Sequence, residues 1–143
     1  MGFGGIKRDK RDIVFSKLIR ERAEWTCERC GKVFPEGDRQ TLHCSHLYGR
    51  RARGTRWHPD NCFSICLSCH KYLEEHPIEH VKWAEGKLGE GCVDLLRERF
   101  HTPRKYTKAD LEDLHRHYKA EYAKMLDKRA DGVTGRIEFT AFD

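Results

Sequence analysis

The sequence predicts a small α+β domain, mostly helical, clamped at its centre by cysteines. Three observations predict it. Two Cys-x-x-Cys pairs, Cys27/Cys30 and Cys66/Cys69, enclose a histidine-rich segment with strand-like alternation. Helix-period apolar patterns flank this centre on both sides. Hydrophobic residues make up 38% of the 143 and charged residues 36%, so the apolar core is thin and an added clamp is needed. The length suits a single domain with extensions, since domains run to roughly 100–200 residues.

Taken in order, residues 1–9 are glycine-rich and basic and read as disordered. The clamped domain with its flanking helices covers 10–101, an amphipathic helix covers 102–127, and 128–143 reads as a loose tail. Ile13, Val14, Leu18, Ile19 and the later Trp25 recur at helix-like spacing, with Asp12 as N-cap. Cys27-Glu28-Arg29-Cys30-Gly31 has the form of a metal knuckle, with Gly31 free to take positive φ. After a turn at Pro35–Asp38, residues 40–47 alternate as a short strand, and 49–60 read as a loop. Phe63–Leu67 is apolar and leads into the second knuckle. A helix from about Cys66 to Glu75 stops before Pro77, which opens the next, and Gly89 and Gly91 separate that one from another short helix. Thr107 and Asp110 form a capping-box start for a helix that places Leu111, Leu114, Tyr118, Tyr122 and Met125 on one stripe. The stripe packs on the parent domain or forms a homodimer seam.

Seven cysteines are too few for a disulfide scaffold, the N-terminus has no apolar leader, and no run approaches the roughly 20 apolar residues of a membrane span. These features predict a cytoplasmic chain in which Cys-x-x-Cys pairs bind metal. Cys27, Cys30, Cys66 and Cys69 make a closed tetrahedral thiolate set, the usual donor set of structural Zn²⁺. A redox pair, or cysteines packed as small hydrophobes, is the competing reading. Cys44, Cys62 and Cys92 are left as buried or free thiols.

His43, His46 and His70 converge if the shared zinc holds their segments together. Hydrolysis of a phosphodiester needs a base to activate water and a cation to stabilise the phosphorane and the leaving oxygen. A neutral histidine suits the first role and an imidazole- or carboxylate-bound divalent ion the second. Asn61 suits a role in locking the intervening loop through backbone hydrogen bonds.

His46, Asn61 and His70, set between knuckles at Cys27/Cys30 and Cys66/Cys69, resemble the HNH (His-Me finger) nucleases. Ser16-Lys17-Leu18-Ile19-Arg20, His43-Cys44-Ser45-His46-Leu47, Asp60-Asn61 and Thr102-Pro103-Arg104-Lys105-Tyr106-Thr107 resemble, more narrowly, the NinG/Rap phage recombination nucleases, over roughly residues 12–126. The resemblance implies a treble-clef-like ββα-metal core with flanking helices. It implies His46 as general base, Asn61 as the loop-holding residue and His70 as ligand of a catalytic Mg²⁺ or Mn²⁺. It further implies a metal-dependent endonuclease acting on branched or recombination-intermediate DNA, in a phage or prophage setting. The family often places an acidic or histidine ligand just before the base, where this chain has Ser45. His43 substitutes only if the segment bulges; water or Ser45 itself is the other choice. Glu74 and His76 are possible supporting groups. The alternatives are a nicking or restriction-type HNH nuclease of ordinary duplex, or a catalytically degenerate zinc module that only binds DNA.

The net charge of +5 agrees with a polyanionic partner, and its distribution points to DNA. Arg50, Arg51, Arg53 and Arg56 directly follow the base and suit bidentate phosphate contacts, and Trp57 either stacks on a base or packs in the core.

Overall fold

The computed structural model describes residues 6–143, and the expectation of disorder over residues 1–5 lies outside them. The element order is α1 (Lys10–Arg22), β1 (Leu42–His46), α2 (Arg53–Arg56), a 3₁₀ turn (Pro59–Asn61), β2 (Cys62–Cys66), α3 (Leu67–Glu75), α4 (Pro77–Leu88), α5 (Glu90–His101) and α6 (Lys108–Ala130). This is a small α+β fold with a two-stranded sheet among the described residues.

The hairpin is antiparallel, with Leu42 opposite Cys66 and His46 opposite Cys62. Its period of two puts Leu42, Cys44 and His46 on one face with Cys62, Ser64 and Cys66, and His43 and Ser45 on the other with Phe63 and Ile65. The hairpin joins two cores, its Leu42–Cys66 end belonging to the second. Cys44 and Cys62 pack with Phe15, Leu18 and Ile19 of α1 and Leu114, Tyr118 and Met125 of α6. Phe63 and Ile65 pack with Leu73, Ala84 and Val93 of α3–α5 and with the knuckle residues Cys27, Cys66 and Cys69.

Helix α1 is capped by Asp9 rather than Asp12. The Asp9 carboxylate accepts from the backbone of Arg11 and Asp12, and Asp12, at the third helical position, accepts from the Asp9 N–H in return. This reciprocal box leaves Asp12 pointing inward at 6% exposure, where it receives Arg56 Nε at 3.0 Å and Trp57 Nε1 at 3.1 Å. Burial pushes its carboxyl pKa up, but the Arg56 hydrogen bonds and charge outweigh that, and the pKa is lowered. Removing one member of such a buried pair leaves an uncompensated charge. Asp12→Asn is therefore expected to cost on the order of 3–5 kcal/mol, read as a fall in urea midpoint. A change below 1 kcal/mol would show that water reaches Arg56.

Residues 6–9 are tied down rather than disordered. Arg50 donates to the Ile6 carbonyl, Arg56 to that of Lys7, and Arg8 to the Ser16 hydroxyl. At the other end of α1 the chain turns through Glu24 and Trp25, both at positive φ (52° and 56°), held by Trp25 N–H to the Arg20 carbonyl and Trp25 Nε1 to Glu21. Gly31 takes φ of +80° in the first knuckle.

The segment read as a loop over 49–60 carries α2 and the 3₁₀ turn. Helix α2 presses on α5 so closely that a Cβ on Gly54 would stand 2.6 Å from the Arg99 carbonyl oxygen. The α6 capping box at Thr107 and Asp110 forms, and the helix runs to Ala130, past the expected end at 127. Its stripe faces α1 within the chain: Leu114, Tyr118 and Met125 are each at most 1% exposed, so these residues offer no seam to a second copy. The tail is packed, not loose. Ile137 is buried and bonds the Arg22 carbonyl, and the Phe142 N–H donates to the Tyr118 hydroxyl. The physical reason is the apolar series Ile137, Phe139 and Phe142, which covers the α1–α6 seam.

Candidate metal centre and active-site cavity

The first knuckle hangs from the end of α1 and the second from the junction of β2 and α3. The hairpin bonds and the Glu28 N–H to Ser64 carbonyl bond bring the two together. The four sulfurs of Cys27, Cys30, Cys66 and Cys69 all lie within 4.8 Å of one another, and Cys30 Sγ is 3.9 Å from Cys66 Sγ. Zinc–sulfur bonds of about 2.3 Å in a tetrahedron put sulfurs about 3.8 Å apart, so the donor set and its spacing fit structural zinc. The Cys66 and Cys30 N–H groups point at Cys27 Sγ, and Arg29 reaches Cys69 Sγ at 3.3 Å. Burial opposes ionisation of Cys66, but hydrogen bonds from the Cys69 N–H, the Ser68 hydroxyl and neighbouring thiols lower its pKa to about 6.

A cavity of about 250 Å³ lies between α1, β1 and α3. Arg8, Asp12, Ser16 and Arg20 line it from the α1 side, His43, Cys44 and His46 from β1, Arg50 from the loop and His70 from α3. His43 and His46 lie on opposite faces of β1, so the cavity wraps the strand's edge away from β2, which carries no partner strand among the described residues. No bulge is needed to bring His43 in, because β1 keeps regular register and His43 meets α3 directly.

His43 Nδ1 lies 2.9 Å from His70 Nδ1. The outer nitrogens fix what these two atoms carry. His43 Nε2 sits 2.8 Å from the Gln40 carbonyl oxygen and His70 Nε2 3.1 Å from the Glu74 carboxylate, and both partners only accept. With both protons on Nε2, the two Nδ1 lone pairs face each other and require a cation between or beside them. Burial lowers the His70 pKa, only partly opposed by the Glu74 carboxylate. Two nitrogens bound to a metal at about 2.1 Å with a right angle between them stand about 3.0 Å apart. Histidine ligands whose second nitrogen is held by a carbonyl or carboxylate are the usual arrangement of metal sites. The pair thus fits a divalent cation, with Glu74 as the outer support of His70. Ser45 lies on the same strand face as His43, 1% exposed, and its Oγ is buried without a partner.

His46 is placed by a separate device. Asn61, fully buried, donates from Nδ2 to the Tyr48 and Thr55 carbonyls at 2.8 and 3.0 Å and accepts from the Tyr48 N–H at 2.8 Å. The loop so held brings the Arg56 carbonyl 3.2 Å from His46 Nε2. That carbonyl accepts a hydrogen bond from Nε2–H, which leaves the lone pair on Nδ1. Burial, only partly opposed by this bond, lowers the His46 pKa to about 4, so the imidazole is neutral near pH 7.

The basic residues divide. Arg56 is buried against Asp12 and stacked over Trp57, so it holds the fold and does not face solvent. Trp57 is 4% exposed and takes the core role. Arg50 is half-buried at the cavity wall, while Arg51, over the Phe100 ring, and Arg53 are exposed. His76 is engaged with Tyr72, donating from Nδ1 to the Tyr72 carbonyl and stacking on its ring, and does not line the cavity. The α1 wall escaped the reading of the sequence, although its signal was present. Arg8 just ahead of α1 and Asp12, Ser16 and Arg20 within it recur every four residues, a polar stripe beside the buried Phe15, Leu18 and Ile19. His80, on α4, has a buried Nε2 with no hydrogen-bond partner.

Compared with protein-family models, curated proteins and solved structures, the chain matches none. No helix among the described residues is long and apolar enough to cross a membrane.

Proposed function

We propose that the chain is a metal-dependent DNA endonuclease of the HNH type, acting on branched or recombination-intermediate DNA. One observation carries the reading: three imidazoles line a single arginine-walled cavity, His43 and His70 facing each other Nδ1 to Nδ1 and His46 bonded through Nε2 to the Arg56 carbonyl, an arrangement that suits two cation ligands and a base. Arg8, Arg20 and Arg50 in the same wall suit an anionic phosphate. His46 Nδ1 takes the proton of the attacking water, and the Arg56 carbonyl stabilises the imidazolium that forms. When bound at His43 and His70, a Mg²⁺ or Mn²⁺ ion supplies charge stabilisation at the phosphate and the leaving 3′-oxygen. Asn61 acts through the loop, as a positioning residue.

The test is incubation with Mg²⁺ or Mn²⁺ on linear, nicked and four-way-junction DNA. Faster cutting of the junction supports the branched substrate, and equal cutting of all three supports a nuclease of ordinary duplex. No cutting with either metal, together with retained DNA binding, would favour a zinc module that only binds; the hydroxyl of Ser45, where a stronger ligand is usual, favours that second reading.

Two further results are expected. The acid limb of the cleavage rate falls well below pH 6.5, because the base must be neutral and burial keeps it so until about pH 4. A limb at the ordinary histidine value would mean that His46 is solvated when it acts. DNA affinity falls steeply with salt, and Arg51→Ala and Arg53→Ala each lower the log–log salt slope by about 1. A slope unchanged by both would move the DNA path away from this loop.

A further inference from the structure

Cys44 and Cys62 take no part in the zinc cluster or in the proposed chemistry, yet they do not lie apart. Cys44 Sγ, Cys62 Sγ and a ring nitrogen of His46 lie within 4.8 Å of one another. The hairpin register explains why: Cys62 is directly opposite His46, and Cys44 is two residues away on the same face. Ser64, directly opposite Cys44, is fully buried, and its Oγ has no hydrogen-bond partner. Two sulfurs, one imidazole with Nε2 already capped by the Arg56 carbonyl, and an unsatisfied hydroxyl on one face make a donor set for a thiophilic ion. The set is also balanced in charge. Arg22 donates to the Cys62 carbonyl and Arg20 to that of Leu42, so the surroundings are cationic, but a dication on two thiolates and a neutral imidazole carries no net charge.

We propose that Cys44, His46 and Cys62 form a second zinc site, separate from the four-cysteine cluster, and that zinc bound there takes the His46 Nδ1 lone pair and silences the base. The binding half stands on the cluster alone; the silencing half rests on the nuclease reading. Zinc at this site would hold the enzyme off, and its withdrawal by cellular chelators would release it.

In a His43→Ala/His70→Ala background, where zinc cannot be held by that pair, the reduced full-length protein loaded with excess Zn²⁺ and desalted is expected to carry two equivalents by elemental analysis. The Cys44→Ser/Cys62→Ser double variant in the same background is expected to carry one. The equivalent retained at the four-cysteine cluster reports that the variant has folded, and a matching far-UV spectrum checks it. Cobalt substitution gives a second measure, since thiolate-to-metal absorption per chain should be about half as large again in the wild type, six thiolates against four. In the His43→Ala/His70→Ala background, one equivalent with Cys44 and Cys62 present, or a second equivalent that survives their replacement, would overturn the site. On the silencing half, micromolar Zn²⁺ is expected to inhibit Mg²⁺-dependent cleavage by the wild type at least tenfold more than by the double variant. Equal inhibition of both would overturn it. Absence of cleavage in every condition strikes the nuclease reading alone, and the zinc count then judges the binding site.

Discussion

Cys66→Ser, or prolonged chelation of the wild type, is expected to unfold the half of the molecule built on the hairpin and α3–α5. Structural zinc contributes on the order of 10 kcal/mol in small domains, comparable with the roughly 5–15 kcal/mol total stability of a folded chain. Three of the four cysteines, Cys27, Cys66 and Cys69, are themselves members of the second core. Without the ion their sulfurs converge with nothing to bind, and the two knuckles that fix the hairpin against α1 and α3 part. The first core, α1 against α6 with the tail over the seam, does not contain these cysteines. Thermal melts followed by near-UV circular dichroism should lose the Trp25 and Trp83 signals, while part of the helical far-UV signal persists. Added Zn²⁺ should restore the chelated wild type but not Cys66→Ser. A melting temperature unchanged by both treatments would show that the cluster is only a packed set of thiols.

His46→Ala is expected to lower cleavage by about 10²–10⁴-fold, the usual worth of a positioned general base, with DNA affinity close to wild type. His70→Ala should give a loss of similar size that partly recovers at high Mn²⁺, because it removes a ligand rather than the base. Asn61→Ala acts through the loop, losing three hydrogen bonds to the backbone, and should lower both the rate and the thermal stability. The pattern of the three variants separates the roles. Cleavage by His46→Ala at the wild-type rate would remove His46 from the chemistry.

Much of the local structure was legible in the residues. The capping box at Thr107 and Asp110, Pro77 at a helix start, Gly31 at positive φ and the alternating strand within residues 40–47 depend on neighbours a few positions away, and all form. Less legible was anything that required knowing what packs against what. Arg56 looks like its neighbours in a basic run, and only the fold sets it on Asp12, 44 positions away. Ile137, Phe139 and Phe142 form too short a pattern to stand out, and their burial depends on the seam that α1 and α6 create.

The same division runs through the site. Spacing alone placed the four cysteines in one donor set, because a chelating ion demands few geometries and Cys-x-x-Cys supplies two ligands from one turn. The sequence also named His43, His46, Asn61 and His70. What it left open was which nitrogen of each imidazole is free, because that depends on acceptors brought by other elements: the Gln40 and Arg56 carbonyls and the Glu74 carboxylate. Tertiary structure alone set His43 against His70, placed Ser45 behind them, and gathered Cys44 and Cys62 about His46 on the opposite face of β1. A chain fixes its ligand types locally, but the direction of each lone pair is decided by the packed neighbours that hold the ring.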